Sequence, residues 1–191
     1  MNGTSPVTEE MRASLLQRIA AAERLWVLAT RDLTAEHVNH FERGGVLPMA
    51  FTLLHAIAGQ DASRRALFGG PLIWEAYAAR VGYEGKLPAR GTPMEAAERI
   101  RARDMDAWRE YQAKVFAATR AAIRDAALAR LGERFTMPPE VYAGGFLELL
   151  SGTADRVRVI DVAEAWIYQH AIRHVGELEH ARALVGLRGV G

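Results

Sequence analysis

Apolar residues recur every three or four positions along most of the chain, which is the spacing of an amphipathic α-helix. The first segment of this kind runs from Thr8 to about Asp32. The second starts at Pro48, a residue suited to a first helical turn, and ends before the breaker sequence GGP at 69–71. We therefore expect two long helices in the first part of the chain. The apolar positions that define the first are Met11, Leu15, Ile19, Leu25 and Leu28.

A short helix and a third long helix are predicted in the middle of the chain. Apolar spacing favours a short helix from residue 72 to about 81. The sequence TPME at 92–95 has the capping-box pattern with proline at its favoured place, so the third long helix is expected to begin there. It can continue to the neighbourhood of Leu131, before the sequence GERFTMPPE interrupts the pattern.

The last part of the chain predicts a fourth long helix. Asp161, with Glu164 three positions later, indicates its start, and the pattern runs to Gly186. Residues 133–160 are expected to be loops around a turn of helix near 141–150, and no β-alternation or internal repeat is present. The chain therefore predicts one all-α domain over residues 1–191, a four-helix bundle with extra short helices in its connections. An antiparallel order is the simplest arrangement.

Composition narrows the classes of partner. Lysine plus arginine numbers 24 against 23 acidic residues, a net charge of +1, so a basic surface for nucleic acid is not expected. No apolar run approaches the roughly 18 residues of a membrane span, and the first residues lack a signal-peptide pattern. We expect a cytoplasmic protein without membrane contact, whose partners are small molecules or protein.

The absence of cysteine restricts the chemistry further. It removes disulfides, cysteine-containing zinc sites and a thiol nucleophile in the chain itself, so any metal must be bound through nitrogen or oxygen. Sequence patterns of P-loops, dinucleotide-binding folds, HExxH zinc proteases, GxSxG hydrolases and paired ExxH di-iron bundles are missing. The sequence therefore does not favour phosphate binding, dinucleotide binding or serine-hydrolase activity.

His170 and His174 lie four residues apart in the fourth predicted helix, so both imidazoles project from one face. That face is otherwise apolar and should point into the bundle. A buried imidazole needs partners for both ring nitrogens, and a shared metal ion is one such partner. The apolar residues on this face are Ala163, Ile167, Leu178, Ala181 and Val185.

His55 lies on a similar inward face of the second helix, with Phe51, Ala58 and Ala62, where a neighbouring helix could bring it to the histidine pair. Three imidazoles leave at least one coordination position open, which is the pattern of a catalytic rather than a closed structural site. For His55 alone, a core histidine hydrogen-bonded to a carbonyl or carboxylate is the alternative interpretation, and the same alternative stays open for the pair His170 and His174.

Glu177 follows His174 by three residues and lies on nearly the same face, so it is our candidate catalytic residue, as a general base. A hydrogen-bond acceptor for a ligand histidine, an added ligand and a solvated glutamate are the alternatives. His180 lies off the apolar face and is expected at the surface. For His37 and His40, we expect exposed side chains or a capping contact.

Three stretches resemble the DinB-like (YfiT-like) superfamily of metal-dependent helical proteins: RDLTAEHV at 31–38, PMAFTLLHAIAGQDA at 48–62 and WIYQHAIRHVGELEHARALVGLRG at 166–189. The family pattern is one histidine in the second helix and an HxxxH pair in the last, followed by glycine and by glutamine or glutamate. The matching positions here are His55, His170, His174, Gly176 and Glu177.

The resemblance implies a four-helix bundle in up-down-down-up order, a homodimer, and a divalent metal held by the three histidines. Zinc and nickel are the first candidates and iron a further one. Some family members transfer a low-molecular-weight thiol, mycothiol or bacillithiol, so we expect a metal-dependent S-transferase with a small thiol and a small electrophile as partners. A hydrolase that uses metal-activated water and a non-catalytic metal- or ligand-binding bundle are the alternatives.

Overall fold

The structure, a computed structural model, describes residues 6–83, 87–88, 91–136, 147–148 and 157–190. Among these residues the regular structure is helical, apart from one isolated bridge between Arg134 and Arg158, so the predicted all-α class is confirmed. The helices are α1 (Glu9–Thr30), α2 (Ala35–Asn39), α3 (Met49–Phe68), α4 (Trp74–Val81), α5 (Met94–Ala97), α6 (Met105–Asp125), α7 (Leu128–Gly132), α8 (Val159–Ala163) and α9 (His170–Leu184). A π-helical turn, Glu164–Gln169, joins α8 to α9 in one continuous helix over 159–184.

Contacts at the helix ends give the direction of α1 relative to two neighbours. Arg12, near the start of α1, donates to the carbonyl of Ala126, just after the end of α6, so these helices are antiparallel. Arg182, near the end of α9, is bound to the Asp32 carboxylate, just after the end of α1. Helices α1 and α9 therefore run parallel.

The remaining pairs complete the bundle in the order α1, α6, α3, α9 around its axis. Met49 at the start of α3 and Leu184 at the end of α9 line one cleft, so these helices are antiparallel. Arg130, just after α6, donates to the carbonyl of Leu67 near the end of α3, so α3 and α6 run parallel. The order is up-down-down-up, as the resemblance implies, and the simple antiparallel order is wrong because the consecutive long helices α3 and α6 run in the same direction.

The third long helix begins later than predicted. In place of one helix from 92 to about 131, the structure has the single turn α5, a break, and then α6. Asp104 begins α6, because its carboxylate accepts two backbone N–H groups of the first turn. The backbone N–H groups of Arg103 and Asp104 donate to the carbonyl of Val81, which ties this break to the end of α4.

The last helix begins two residues before the predicted start. Its first residue is Val159, and the carboxylate of Asp161 reaches back to accept the backbone N–H of Arg158 at 3.0 Å. Asp161 is thus inside the first turn rather than before it. Most of the turn of helix predicted near 141–150 lies outside the described residues. Leu147 and Glu148 are described, and both are helical.

The π turn changes which residues of α9 are buried. A π turn closes hydrogen bonds five residues apart and so fits one extra residue into the helix. After the π turn, the buried positions of α9 are shifted along the sequence, and they include Ala171 and Arg182. Ala181 and Val185, predicted on this face by strict α-helical spacing, are only partly buried.

The core is the apolar space between the four long helices, and it contains Trp26, Trp108 and Phe116 at full burial. Leu28, one of the apolar positions used to predict the first helix, is 36% exposed, because the buried face of α1 passes through Trp26 instead. None of the described helices combines the length and the apolar character that crossing a membrane would require. The buried positions of α1 are Leu15, Ile19, Ala22, Trp26, Ala29 and Thr30.

A buried ion pair fixes the turn between α3 and α4. Asp61 is fully buried, and its two oxygens accept a guanidinium N–H of Arg64 at 2.9 Å and the backbone N–H of Trp74 at 3.0 Å. Arg64 also donates to the carbonyls of Gly69 and Pro71. If the Asp61 carboxylate were removed, the backbone N–H of Trp74 would lose its acceptor and the Arg64 guanidinium would lose its charged partner.

We expect Asp61→Ala to lower the free energy of unfolding by about 3–5 kcal/mol, because it leaves the Arg64 charge buried without its carboxylate. Urea denaturation of the purified variant measures this loss. The exposed Arg65 on the same helix gives the control, and Arg65→Ala should stay within about 0.5 kcal/mol of wild type. A loss below about 1 kcal/mol for Asp61→Ala would contradict this role.

Candidate metal centre

His55 of α3 meets His170 and His174 of α9 where these two antiparallel helices pack together. The ring centroid of His55 lies 5.2 Å from that of His170 and 5.0 Å from that of His174, and the last two are 4.4 Å apart. One ligand nitrogen from each ring lies within 4.8 Å of the other two. The three histidines selected from the sequence therefore form one cluster, which could hold a metal ion.

The spacing within the pair suits a shared ion. The Nε2 atoms of His170 and His174 are 3.1 Å apart. Two nitrogens bound to one zinc at about 2.0–2.1 Å with a near-tetrahedral angle would be about 3.3 Å apart. The His55 nitrogen lies within 4.8 Å of the other two ligand nitrogens, and an ion shared by all three rings would draw it closer. Zinc, nickel and iron all accept imidazole nitrogen, so the donor set fits the predicted ions.

Acceptors behind two of the rings determine which nitrogen is available. Nδ1 of His174 lies 2.6 Å from Oε2 of Glu177, and Nδ1 of His55 lies 3.3 Å from the carbonyl oxygen of Pro88. Since neither oxygen can donate, Nδ1 of each ring carries the proton and donates it. Nε2 of each ring then keeps its lone pair, which is the usual arrangement of metal-bound histidine.

His170 has a ring nitrogen that is buried without a hydrogen-bond partner among the described residues. This nitrogen is Nδ1, and Nε2 of the same ring faces Nε2 of His174. Helix α3 passes so close to this ring that a Cβ at Gly59 would lie 3.2 Å from Cε1 of His170. Glycine at this position therefore gives the His170 ring the room it needs.

Burial lowers the pKa of all three histidines. For His170 and His174 burial is the largest cause, and the neighbouring imidazoles and Arg173 add to it, so that both pKa values fall to about 3. Burial also lowers the pKa of His55, against the opposing effect of its hydrogen bond to Pro88. The rings are therefore neutral at neutral pH, which is the form of imidazole that binds a metal.

Glu177 lies at the edge of the cluster, with its side chain 47% exposed. Its Oε2 accepts the His174 proton, and its Oε1 lies 4.0 Å from Nε of Arg173. Several roles were considered for Glu177 from the sequence. The structure shows one of them, because Glu177 is the hydrogen-bond acceptor for His174, a candidate metal ligand. The role of general base stays a prediction.

The other histidines lie away from the cluster. His180 is exposed, as predicted. Nδ1 of His37 accepts the backbone N–H of Thr34 at the start of α2, and His40 lies beside the carboxylate of Glu42 at 3.1 Å. The capping contact and surface position expected for His37 and His40 are confirmed.

Sequence reasoning missed three contributors to the site, namely Gly59, Pro88 and Arg173. A single glycine one turn after His55, inside a long helix, is a signal that some other group approaches closely. Pro88 and Arg173 carry no comparable signal, because their relation to the histidines depends on how the loop after α4 and the helix α9 pack.

No protein-family model matches the chain, and no curated protein matches it in sequence. Among solved structures, the chain is similar to a conserved protein from Enterococcus faecalis, with a TM-score of 0.70 and 12% sequence identity. The similarity covers 91% of this chain and 96% of that one. At this identity the likeness shows the fold alone, and it supports the all-α bundle.

We expect Gly59→Ala to weaken metal binding by about tenfold, because the new Cβ displaces the His170 ring by a few tenths of an ångström. The same change should leave the metal-free protein as stable as wild type or up to about 1 kcal/mol more stable, since alanine favours the helix. Competition with a metal-binding dye measures the affinity. Gly176→Ala is the matched control, because a Cβ there meets no atom within 4 Å, and unchanged affinity in both variants would contradict the steric argument.

The histidine pKa values predict how the stability of the metal-free protein depends on pH. Below pH 6.5 the unfolded chain takes up protons that the folded cluster, with pKa values of about 3, does not. Stability should therefore fall as the pH is lowered from about 6.5 toward 3, and two such histidines give a slope on the order of 2 kcal/mol per pH unit between pH 6 and 5. Urea denaturation at stepped pH should show a shallower slope for His170→Leu than for wild type, and an unchanged slope for the exposed His180→Leu. Equal slopes for all three proteins would be the contrary result.

Proposed function

We propose that this protein is a metal-dependent S-transferase, which binds a divalent ion through His55, His170 and His174 and joins a low-molecular-weight thiol to a small electrophile. The observation that carries the proposal is the pair of neutral imidazoles whose Nε2 atoms face each other at 3.1 Å, with a third imidazole beside them. Zinc and nickel are the preferred ions, and iron is a further candidate. Three protein ligands leave a coordination position for a substrate.

When bound, the ion would supply positive charge that its neutral ligands do not cancel, and this charge lowers the pKa of a thiol that binds beside it. The chain contains no cysteine, so the sulfur must come from a small molecule such as mycothiol or bacillithiol. In the transfer, the sulfur forms a bond to the electrophilic carbon and the leaving group departs with its electron pair.

The residues of the chain position these reactants and receive the proton. Glu177 keeps the proton of His174 on Nδ1, so that Nε2 remains a ligand. We assign Oε1 of Glu177, the oxygen that His174 does not use, as the base that accepts the thiol proton. Its exposure at the edge of the cluster gives solvent access to that proton.

The proposal also places the protein in the cytoplasm, where small thiols are kept reduced. The homodimer rests on the family resemblance and stays a prediction. The hydrolase alternative uses the same three histidines with water in place of the thiol, so the decisive difference is whether turnover requires a thiol.

Elemental analysis of desalted, tag-free protein tests the metal. We expect close to one divalent ion per chain in wild type, and its loss in both His55→Ala and His170→Ala, because each helix supplies part of one site. His180→Ala, a histidine of the same helix outside the cluster, should keep the ion. A wild-type protein that neither contains nor takes up zinc, nickel or iron would contradict the proposal and favour the non-catalytic bundle.

Glu177→Gln separates the two roles of the carboxylate. The amide oxygen can still accept the His174 proton but cannot act as a base, so we expect normal metal content and a rate lower by about 10²–10⁴. Conjugation of mycothiol, bacillithiol or glutathione to monochlorobimane, with release of chloride, measures the rate by fluorescence. Glu177→Ala removes both functions and should lose metal affinity as well. Full activity of Glu177→Gln would rule out the base, and thiol-independent hydrolysis of an ester panel would favour the hydrolase.

A further inference from the structure

Three buried polar atoms in the middle of the bundle have no hydrogen-bond partner within the described part of the chain. They are Nδ1 of His170, the indole nitrogen Nε1 of Trp108 and the amide oxygen Oε1 of Gln112. Trp108 is fully buried and Gln112 is 2% exposed. Buried polar atoms are almost always hydrogen-bonded, to protein or to ordered water, so three of them together require a partner. The proposed transfer uses neither Trp108 nor Gln112.

Contacts of Trp26 show that these atoms belong to one layer of the bundle. The indole N–H of Trp26, in α1, donates to the carbonyl of Ala171, the residue after His170 in α9, at 3.1 Å. The ring centroid of Trp26 lies 6.4 Å from that of Trp108 in α6. Gln112 follows Trp108 by four residues, so the two side chains project from one face of α6, one turn apart. The three residues with unpaired atoms therefore lie at nearly the same level along the bundle axis.

Gln112 lies on the face of α6 that points into the bundle. On this face Trp108 contacts α1, and Thr119 contacts α3, where its hydroxyl oxygen accepts a hydrogen bond from Nε2 of Gln60 at 3.2 Å. Gln112 lies between Trp108 and Thr119 along the same face. Since α1 and α3 flank α6 in the bundle, a side chain between these contacts extends toward α9 on the opposite side, where His170 lies.

Metal binding would reverse what Nδ1 of His170 needs. Nε2 of His170 lies 3.1 Å from Nε2 of His174, whose proton is on Nδ1, so His170 donates from Nε2 and its own Nδ1 keeps a lone pair. An ion bound through both Nε2 atoms would require the His170 proton on Nδ1 instead. A histidine ligand almost always donates this second N–H to a carboxylate, a carbonyl or a water molecule. Glu177 and the carbonyl of Pro88 are such acceptors for the other two rings.

We propose that one buried water molecule binds between His170, Trp108 and Gln112, and that through this water Gln112 is a positioning residue of the metal centre. The water accepts the indole N–H of Trp108 and donates to Oε1 of Gln112. It donates to Nδ1 of His170 in the metal-free protein and accepts from Nδ1 in the loaded protein, a change that no single side chain of the three could make. Buried waters typically make about three hydrogen bonds to otherwise unpaired polar groups. This inference rests on the proposed function for its metal ion.

A crystal structure of the zinc-loaded protein tests the water directly. We expect one electron-density peak at hydrogen-bonding distance, about 2.7–3.2 Å, from Nδ1 of His170, Nε1 of Trp108 and Oε1 of Gln112. Density that shows no water joining His170 to Gln112 would overturn the inference.

Gln112→Leu tests the positioning role, because it removes the acceptor and nearly keeps the size of the side chain. Zinc affinity, measured by competition with a chelating dye, should fall by about 10–100-fold, as for other partners of metal-bound histidine. The urea midpoint of the metal-free protein should stay unchanged or rise, since an apolar side chain suits a buried position. Gln112→Glu keeps an oxygen at the same reach and should restore most of the affinity.

Gln60→Leu is the matched control. Gln60 is 1% exposed in the same core, and its Oε1 is also unpaired among the described residues, but its amide nitrogen binds Thr119 rather than facing the histidines. The Gln60→Leu protein should therefore bind zinc as tightly as wild type.

The outcomes separate the two proposals. If Gln112→Leu binds zinc as tightly as wild type, this inference is wrong and the proposed function stands. If Gln60→Leu loses as much affinity as Gln112→Leu, general core packing controls the affinity and the inference is again wrong. If wild type takes up neither zinc, nickel nor iron, the proposed function fails, and the role of Gln112 at the metal centre fails with it.

Discussion

The need of three clustered imidazoles for partners is the constraint on which the rest of this structure depends, since His174 is buried and His55 and His170 are half-buried. A buried polar group without a hydrogen bond costs about 1–3 kcal/mol, and His170 carries such a group in Nδ1 while its Nε2 faces another imidazole nitrogen. A fold that needed only a core would gain stability from an apolar residue at this position. A shared cation would serve as a partner for both Nε2 atoms at once, and Glu177 and Pro88 already supply acceptors for the opposite nitrogens of the other two rings.

The bundle holds these rings in place through contacts on each side of them. Trp26 of α1 donates its indole N–H to the carbonyl of Ala171, which lies between the two histidines of α9, at 3.1 Å. Arg182 fixes the same helix further along by binding Asp32 and the carbonyl of Ala29. The parallel course of α1 and α9 makes both contacts possible, because the two helices stay in register over their length. On the other side, the missing side chain of Gly59 allows α3 to approach the His170 ring.

Sequence reasoning predicted α1, α3 and the histidine cluster because the signals are local. Apolar spacing, Pro48 and the glycines at 69 and 70 mark the helices, and the phase of His170 and His174 places them inward. It failed between 92 and 131, because hydrogen bonds from Arg103 and Asp104 to the distant Val81 outweigh the helical pattern. The π turn was not predicted, for a related reason. Apolar spacing alone does not distinguish an extra residue within a turn from ordinary α-helix. The contacts of Gly59, Pro88 and Arg173 with the site depend on packing between segments, which periodicity does not encode.

X-ray absorption spectroscopy of the protein loaded with zinc or nickel tests the central claim most directly, because it reports the atoms bound to the ion in solution. The structure predicts three imidazole nitrogens at about 2.0–2.1 Å, recognisable by the multiple scattering of the rings, together with one or more light atoms from solvent. If the proposed transfer is right, addition of a small thiol should replace a light atom by one sulfur at about 2.3 Å. A bound ion with one imidazole or none would contradict the account, because it would place the metal outside the cluster formed by α3 and α9.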